Sequence, residues 1–327
     1  MIDFFLSEEQ KMIRDMVHDF TANEIAPIAA ELDKKGKFPA ETIAKMGELG
    51  LMGVPFPEEY GGAGMDYVSY ATAVYEIARV CASTAITMAA HTSLGMTPIY
   101  LVGSEKQKRK YIPPLASGEM IGAFGLTEAS AGSDAAATKT TAVKKGDEWI
   151  INGSKVFTTN AGVAGVISIT AKVIDEEEEK GIGAFIIETD NPGLRIGPKE
   201  KKMGWNASDT RQIFFEDLRV SDEQRLGEPV DGFRTFLKAL VGGRISVGAL
   251  SCGTAEGAYS AALNYSHERE AFGKPIHKFQ SVGFKLADMA TEIEASKLLV
   301  YQAAKKYDEG HNVVCLLYTS PSPRDRG

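Results

Sequence analysis

Cysteine is scarce in this chain. Cys81, Cys252 and Cys315 are the only three in 327 residues, too widely separated for a disulfide framework or a paired metal or redox motif, so a reducing cytoplasm is the expected compartment. Positive charge is also short: 36 Lys plus Arg stand against 44 Asp plus Glu, a net charge of −8, which argues against a nucleic-acid or anionic-membrane surface. Any anionic ligand must then be met by local positive groups. The N-terminus, Met1 to Gln10, lacks a basic segment and a long apolar core, and no later apolar run reaches membrane-spanning length, so neither secretion nor membrane insertion is expected. Among the five histidines, His91, His267 and His277 have no spacing that suits a metal or a catalytic triad, and no metal site is expected. No internal period indicates a solenoid.

What is present is 44% hydrophobic residues, ample for a core in one large or two to three modest domains. Residues 7–117 read as helical. Ser7-Glu8-Glu9-Gln10 is a capping-box signature ahead of Met12, Ile13, Met16, Val17 and Phe20 at helical spacing, an expected core stripe. Further helices are predicted around 40–50, 66–80, 83–102 and 105–116, parted by turn residues at Pro55-Phe56-Pro57 and Tyr60-Gly61-Gly62-Ala63-Gly64. Between Ile121 and Val220 the pattern changes to short β-type runs bounded by Gly, Asn, Asp and Pro, and the acidic run Asp175 to Glu179 between two of them reads as a solvated hairpin tip. Helical periodicity returns after Gly232, through 233–257, 258–266 and 279–309. The fold class is therefore α+β, mainly α. The expected domains are an N-terminal helical domain over 1–119, a central β-barrel or β-sandwich domain over 120–231, and a C-terminal helical bundle over 232–314.

Three segments carry candidate chemistry. Phe124-Gly125-Leu126-Thr127-Glu128-Ala129-Ser130-Ala131-Gly132-Ser133-Asp134 places glycine, hydroxyls and acids behind an apolar run. Gly132 lets backbone approach a ligand, Thr127, Ser130 and Ser133 offer hydroxyls, and Glu128 and Asp134 read as acids that fix the loop by bonding nearby N–H groups. Alone, such a segment is only a turn. In Asn152-Gly153-Ser154-Lys155-Val156-Phe157-Thr158-Thr159-Asn160, an Asn-Gly turn is expected to lead into a short strand, with Phe157 and Thr159, two residues apart, on one face. In the third, Tyr265 to Ile276, a helix carrying Arg269 is expected to stop at Phe272-Gly273 and restart near Phe279-Gln280.

Taken together and in this order, the three segments resemble the acyl-CoA dehydrogenase family, flavoenzymes that oxidise the Cα–Cβ bond of an acyl thioester, with the match running to about Val314. The resemblance implies FAD as cofactor, bound by Phe124, Leu126, Thr127, Gly132, Ser133, Phe157, Thr158 and Thr159. Thr127 would lie near the pyrimidine edge, Ser133 near the pyrophosphate and substrate, and Thr159 by the reactive flavin nitrogen. Phe157 stands where many relatives carry tryptophan; phenylalanine keeps the π-face and loses the indole N–H. Arg269, Phe272 and Gln280 match positions that reach the FAD of a neighbouring subunit, implying a homotetramer built as a dimer of dimers. Ser133, Val241, Gly242, Gly243 and Arg244 match the acyl-CoA side, although short-chain relatives commonly carry an acid where this chain has Val241. The implied partners are a short-chain acyl-CoA such as butyryl-CoA and an electron-transfer flavoprotein. Related scaffolds also serve acyl-CoA oxidases and non-catalytic acyl-CoA or flavin binders.

The chemistry needs a carboxylate base for the α-proton. Isovaleryl and long-chain relatives place a glutamate just before the arginine matched by Arg244, where this chain has Gly243. The resemblance therefore puts the base beyond Val314, outside this chain, which is expected to have little or no activity as written. Residues 315–327 read as a non-native tail, because Cys315 to Asp325 resembles a translated sequencing adapter, and the third domain is then expected to be incomplete.

Overall fold

A computed structural model describes residues 6–313. The expectations for the tail at 315–327, and for a base beyond Val314, lie outside them. The described chain gathers into two compact units that do not follow chain order. One takes residues up to Ala30, Asp66–Ile86 and those from Arg244 onward, and the other takes Glu31–Met65 and Thr87–Gly243.

In the first unit, α1 (Glu8–Phe20) starts on the expected box. Ser7 Oγ accepts from Gln10 N–H at 3.2 Å, and Gln10 Oε1 accepts from Ser7 N–H at 2.9 Å. Val17 is fully buried, but Met12 is 71% exposed, which corrects its place in the core stripe. At 3.6 residues per turn the two lie about 140° apart round the helix, and the buried arc is narrower than that. Chain 26–35 forms α2 (Ala26–Lys35). Every residue of α4 (Tyr67–Ala78) after Tyr67 is buried, as befits a helix packed on all sides. Asp66 caps it, accepting from Ser69 N–H at 2.8 Å.

Two long helices pack on α4. The first is α8 (Gly232–Glu268), whose Gly253 and Gly257 let the backbones touch: an added Cβ would lie 2.3 Å from Tyr75 O and 2.1 Å from Arg79 O. It runs unbroken through the 257/258 boundary expected from sequence. Over 18 residues its mean hydropathy is 1.2, so by length and composition it is apolar enough to cross a membrane, contrary to the expectation that no run is. However, 56% of that window is buried inside the protein, as in the core helix of a globular fold. The second is α9 (Gln280–Asp308), tied to α4 where Asp308 Oδ1 accepts from Tyr67 N–H at 2.9 Å. The helix before the glycine stop ends at Glu268, earlier than expected. Arg269 lies outside it, ahead of a two-stranded ribbon of Glu270–Ala271 and Lys274–Pro275 that turns at Phe272 and Gly273, both at positive φ.

The second unit holds α3 (Ala40–Glu48), α6 (Thr97–Val102), α7 (Glu105–Ala116) and the end of α5 (Ala82–Ala90), together with an eight-stranded sheet. Its strands are β1 (Gly122–Gly125), β2 (Thr141–Lys145), β3 (Glu148–Thr159), β4 (Val166–Asp175), β5 (Glu178–Glu188), β6 (Leu194–Lys199), β7 (Thr210–Ser221) and β8 (Arg225–Leu226), in the order β6-β7-β3-β2-β4-β5-β8. Strands β1 and β2 share one edge of β4, both parallel to it. Gly122 pairs with Val166, and Thr141 pairs six positions further along with Lys172. The chain between them, 126–140, therefore has to leave the sheet.

One core cluster draws Trp149, Ile151, Ile167, Ile169, Phe185, Ile213 and Leu218 from one face of β3, β4, β5 and β7, so the sheet curls around it. The other face is covered by helices: Val166, Ala184 and Ile186 pack with Met96, Ile99, Ile112 and Phe236. Coverage on both faces explains why Val166 to Ala171 is buried without alternation. Strands β4 and β5 meet at a two-residue turn, Glu176-Glu177, with both residues at positive φ, so the acidic run is the expected hairpin tip. The expected Asn152-Gly153 turn is absent. Both residues lie within the 12-residue β3, at a bulge against β7. Gly153 is needed there because an added Cβ would lie 2.7 Å from the Thr140 Cα.

Candidate functional site

The second unit contains a pocket of about 200 Å³ where the ends of β1 and β3 meet helical segments. Ala90, Leu94, Phe124, Leu126, Thr127, Val156, Phe157, Thr159 and Leu240 line it. Its helical wall is a π-helical stretch, His91–Met96, continuing from α5. Gly95 in this stretch meets Gly122 of β1 so closely that a Cβ on Gly95 would lie 2.6 Å from the Gly122 carbonyl carbon. His91 completes the junction. Its Nδ1 accepts from Gly122 N–H at 2.9 Å, which leaves the proton on Nε2 to be donated to Leu115 O at 3.0 Å. Burial pushes its pKa down to about 4, so the ring is neutral and these two bonds tie β1 to the helical wall.

The β1 wall is held by aromatic stacking: Phe124 lies on Phe236 with ring centroids 4.2 Å apart. On the β3 wall, a second bulge between Lys155 and Thr158 turns the strand outward. It holds Phe157 at φ 57°, a left-handed conformation costly for an aromatic residue, with its ring 67% exposed. Thr159 faces the pocket beside it, whereas Thr158 is wholly buried and its hydroxyl has no hydrogen-bond partner among the described residues. Asn160, also at positive φ, donates its amide to Thr87 O at 3.1 Å and anchors the strand end.

The loop after β1 is fixed from below. Thr127 O accepts from Val156 N–H at 2.8 Å. Glu128 accepts from the Thr138 hydroxyl, from Lys139 N–H at 2.7 Å and Thr140 N–H at 3.1 Å, and pairs with Lys155 at 2.8 Å. Burial alone raises the Glu128 pKa, but the bonds from Lys155, Thr138, Thr140 and Lys139 outweigh it and hold the carboxyl down at about 2. Burial likewise pulls the Lys155 ammonium below its ordinary value, with Glu128 opposing. The expected loop-fixing role of Glu128 is thus visible in its bonds.

Of the residues expected at the site, Phe124, Leu126, Thr127, Phe157 and Thr159 are brought together around the pocket. Gly132 and Ser133 lie on the exposed part of the loop, and an added Cβ at Gly132 would meet nothing within 4 Å, so open space rather than packing surrounds it. Val241 is half-buried and Gly242 and Gly243 are buried on α8, next to the pocket residue Leu240. Arg244 is half-buried on the same helix. Arg269, Phe272 and Gln280 are exposed in the first unit, Phe272 at 95%. The sequence reading missed Ala90, Leu94, Val156 and Leu240, which are ordinary apolar residues in helical or strand patterns. It also missed the role of Lys155, for which there was a signal. By plain alternation Lys155 stands in step with the apolar Trp149 and Ile151, on the inward side, where a lysine demands an acid.

Three family models match the chain consecutively. They are the acyl-CoA dehydrogenase N-terminal domain at residues 7–119, the middle domain at 123–218 and the C-terminal domain at 230–319. The chain belongs to the acyl-CoA dehydrogenase family. It is 48% identical over 303 residues to the short-chain specific acyl-CoA dehydrogenase of Clostridium acetobutylicum, covering 93% of this chain and 80% of that relative. It superposes on the structure of butyryl-CoA dehydrogenase from Megasphaera elsdenii with a TM-score of 0.93 at 43% identity, covering 98% of this chain and 84% of the other. An acyl-CoA dehydrogenase complexed with FAD from Bacillus anthracis matches with a TM-score of 0.88 at 35% identity, over 98% of this chain and 55% of that one. Acyl-CoA dehydrogenases are FAD-dependent oxidoreductases acting on CH–CH donors. The pocket suits such a cofactor: Leu126 and Phe157 offer apolar surface to a flat ring, and Thr127 and Thr159 offer hydroxyls to its polar edge. The open backbone at Gly132 leaves room for a phosphate-bearing tail.

Proposed function

We propose that the protein acts on short-chain acyl-CoA thioesters, of which butyryl-CoA is the test substrate, yielding the trans-2-enoyl-CoA and passing electrons to an electron-transfer flavoprotein in a reducing cytoplasm. The observation that carries this reading is the convergence of Leu126, Thr127, Phe157 and Thr159, from two separate motifs, on one pocket. Bound FAD supplies the acceptor for the hydride leaving the β-carbon. The chain's part is to hold and shield it. Phe157 would cover its face, Thr159 would offer a hydroxyl to its reactive edge, and Thr127 would hold the pyrimidine end. Ser133 would serve the pyrophosphate and substrate side, and Phe124, Gly132 and Thr158 belong to the same set of FAD-binding residues in this reading. Val241, Gly242, Gly243 and Arg244 line the acyl-CoA approach on α8. Arg269, Phe272 and Gln280 reach the FAD of a second copy in a homotetramer, the guanidinium suiting phosphate oxygens.

Removal of the α-proton needs a carboxylate, and Gly243 excludes one from the position before Arg244. The base in this reading lies outside residues 6–313. The test is to load the purified chain with FAD and follow its visible spectrum under anaerobic conditions with butyryl-CoA. FAD binding with little or no bleaching is expected, and rapid bleaching would show that a base is already present. Failure to bind FAD at all would overturn the flavin assignment. Peroxide formed on admitting air to a reduced, base-supplemented protein would favour an oxidase.

A further inference from the structure

Among the described residues, Lys155 is the largest charged side chain that is fully buried, and its contacts end on the pocket wall. Its ammonium reaches Glu128 Oε1 at 2.8 Å, Thr138 Oγ1 at 3.0 Å, Thr170 Oγ1 at 3.4 Å and the carbonyl of Leu126 at 3.3 Å. The last contact orients a peptide. In a planar trans peptide the carbonyl and the following N–H point in opposite directions, so a Leu126 carbonyl drawn down to Lys155 turns the Thr127 N–H the other way. Leu126 and Thr127 both line the pocket, and the Thr127 N–H has no partner among the described residues. The Thr127 carbonyl is itself taken by Val156 N–H at 2.8 Å, which leaves this stretch of loop no freedom to flip.

We propose that Lys155 is a positioning residue for the flavin: by holding the Leu126 carbonyl from beneath, it presents the Thr127 N–H to an acceptor oxygen on the bound ring system. Glu128 serves a different end in the same network. It keeps the ammonium charged in a buried place and closes the loop through Thr138, Lys139 and Thr140. The ion pair could be regarded as fold stabilisation alone, and the two roles separate under substitution. Lys155→Met removes the donor to Leu126 and strands a buried carboxylate. Lys155→Met with Glu128→Gln removes the donor and leaves no buried charge, so it folds where the single variant fails.

The inference rests on the flavin reading of the pocket. Its test is the FAD dissociation constant and the visible spectrum of bound flavin for the full chain, read well below the melting transition of each protein. The double variant is expected to recover most of the stability lost by Lys155→Met while binding FAD about tenfold more weakly than wild type, with displaced flavin absorption maxima. Wild-type affinity and an unshifted spectrum in the stable double variant would reduce Lys155 to a structural residue and overturn the proposal, leaving the flavin site intact. A wild-type chain that binds no FAD would overturn the flavin reading itself, and the positioning role with it.

Discussion

Replacing Gly95 by alanine tests how the pocket is built. The new methyl group would lie 2.6 Å from the carbonyl carbon of Gly122 and 2.9 Å from its Cα and oxygen, about 0.8 Å inside the 3.4 Å at which ordinary contact begins. The atoms it meets cannot step aside singly. Gly122 is paired with Val166 of β4, and its N–H is held by His91. Relief must come from shifting β1 against the His91–Met96 segment, which puts the cost in the upper part of the overpacking range, about 2–3 kcal/mol. Alanine returns up to about 1 kcal/mol over glycine within a helix, so the net loss is about 1–2 kcal/mol. In a chain of this size that lowers the melting temperature by roughly 1.5–3 °C. The same shift moves Leu94 away from Phe124 and Leu126, so FAD affinity should fall several-fold. Differential scanning fluorimetry and FAD titration read the two effects. Gly132→Ala is the control for crowding, since its added methyl meets nothing within 4 Å and its stability should stay within about 0.5 kcal/mol of wild type. A Gly95→Ala protein that melts within about 1 °C of wild type and binds FAD equally well would refute the close-contact argument.

Glu128 carries an acid-stability prediction. Its folded pKa of about 2 lies below the ordinary 4.5, so between those values the unfolded chain binds the extra proton. The stabilisation, about 3 kcal/mol, is complete above pH 4.5 and lost as the pH falls through 2. Urea unfolding at pH 7 and pH 3 should show a loss in wild type that is much smaller in Glu128→Gln, and equal losses would contradict the assignment. Phe157→Gly should relieve a left-handed aromatic residue, leaving stability unchanged or up to about 1 kcal/mol higher, while weakening FAD binding by removing exposed ring surface. Stable protein with undiminished affinity would show that the ring contributes nothing there. Gly243→Glu would bring a carboxylate beside Leu94, whose Cδ2, the far end of a flexible side chain, lies 2.8 Å from the added Cβ and can rotate away. Butyryl-CoA should then bleach the FAD-loaded variant faster than the parent. Unchanged rates would exclude that position as a substitute for the base.

The capping box at Ser7, the acidic hairpin tip and the order of helices, strands and helices were legible because each is written in neighbouring residues. Where local signals misled, a distant backbone had overruled them. Asn152-Gly153 has the composition of a turn, yet the glycine is there because Thr140 passes within contact of it, and the strand runs on. Met12 has the spacing of a core residue and faces solvent, because a stripe in sequence does not say how wide an arc its neighbours cover.

By itself, the sequence was enough to determine the family, the change of period near residues 121 and 232, and five residues of the pocket wall, all carried by motifs of contiguous residues. Only the tertiary structure decided which apolar residues complete that wall. Ala90, Leu94 and Leu240 come from segments far apart in the chain and differ in nothing local from core residues. It also decided the pairing of Lys155 with Glu128. A strand's alternation says that a lysine at 155 points inward, but the acid that makes this tolerable lies 27 residues earlier, across a loop whose path exists only once β1 and β2 have docked on the same edge of β4.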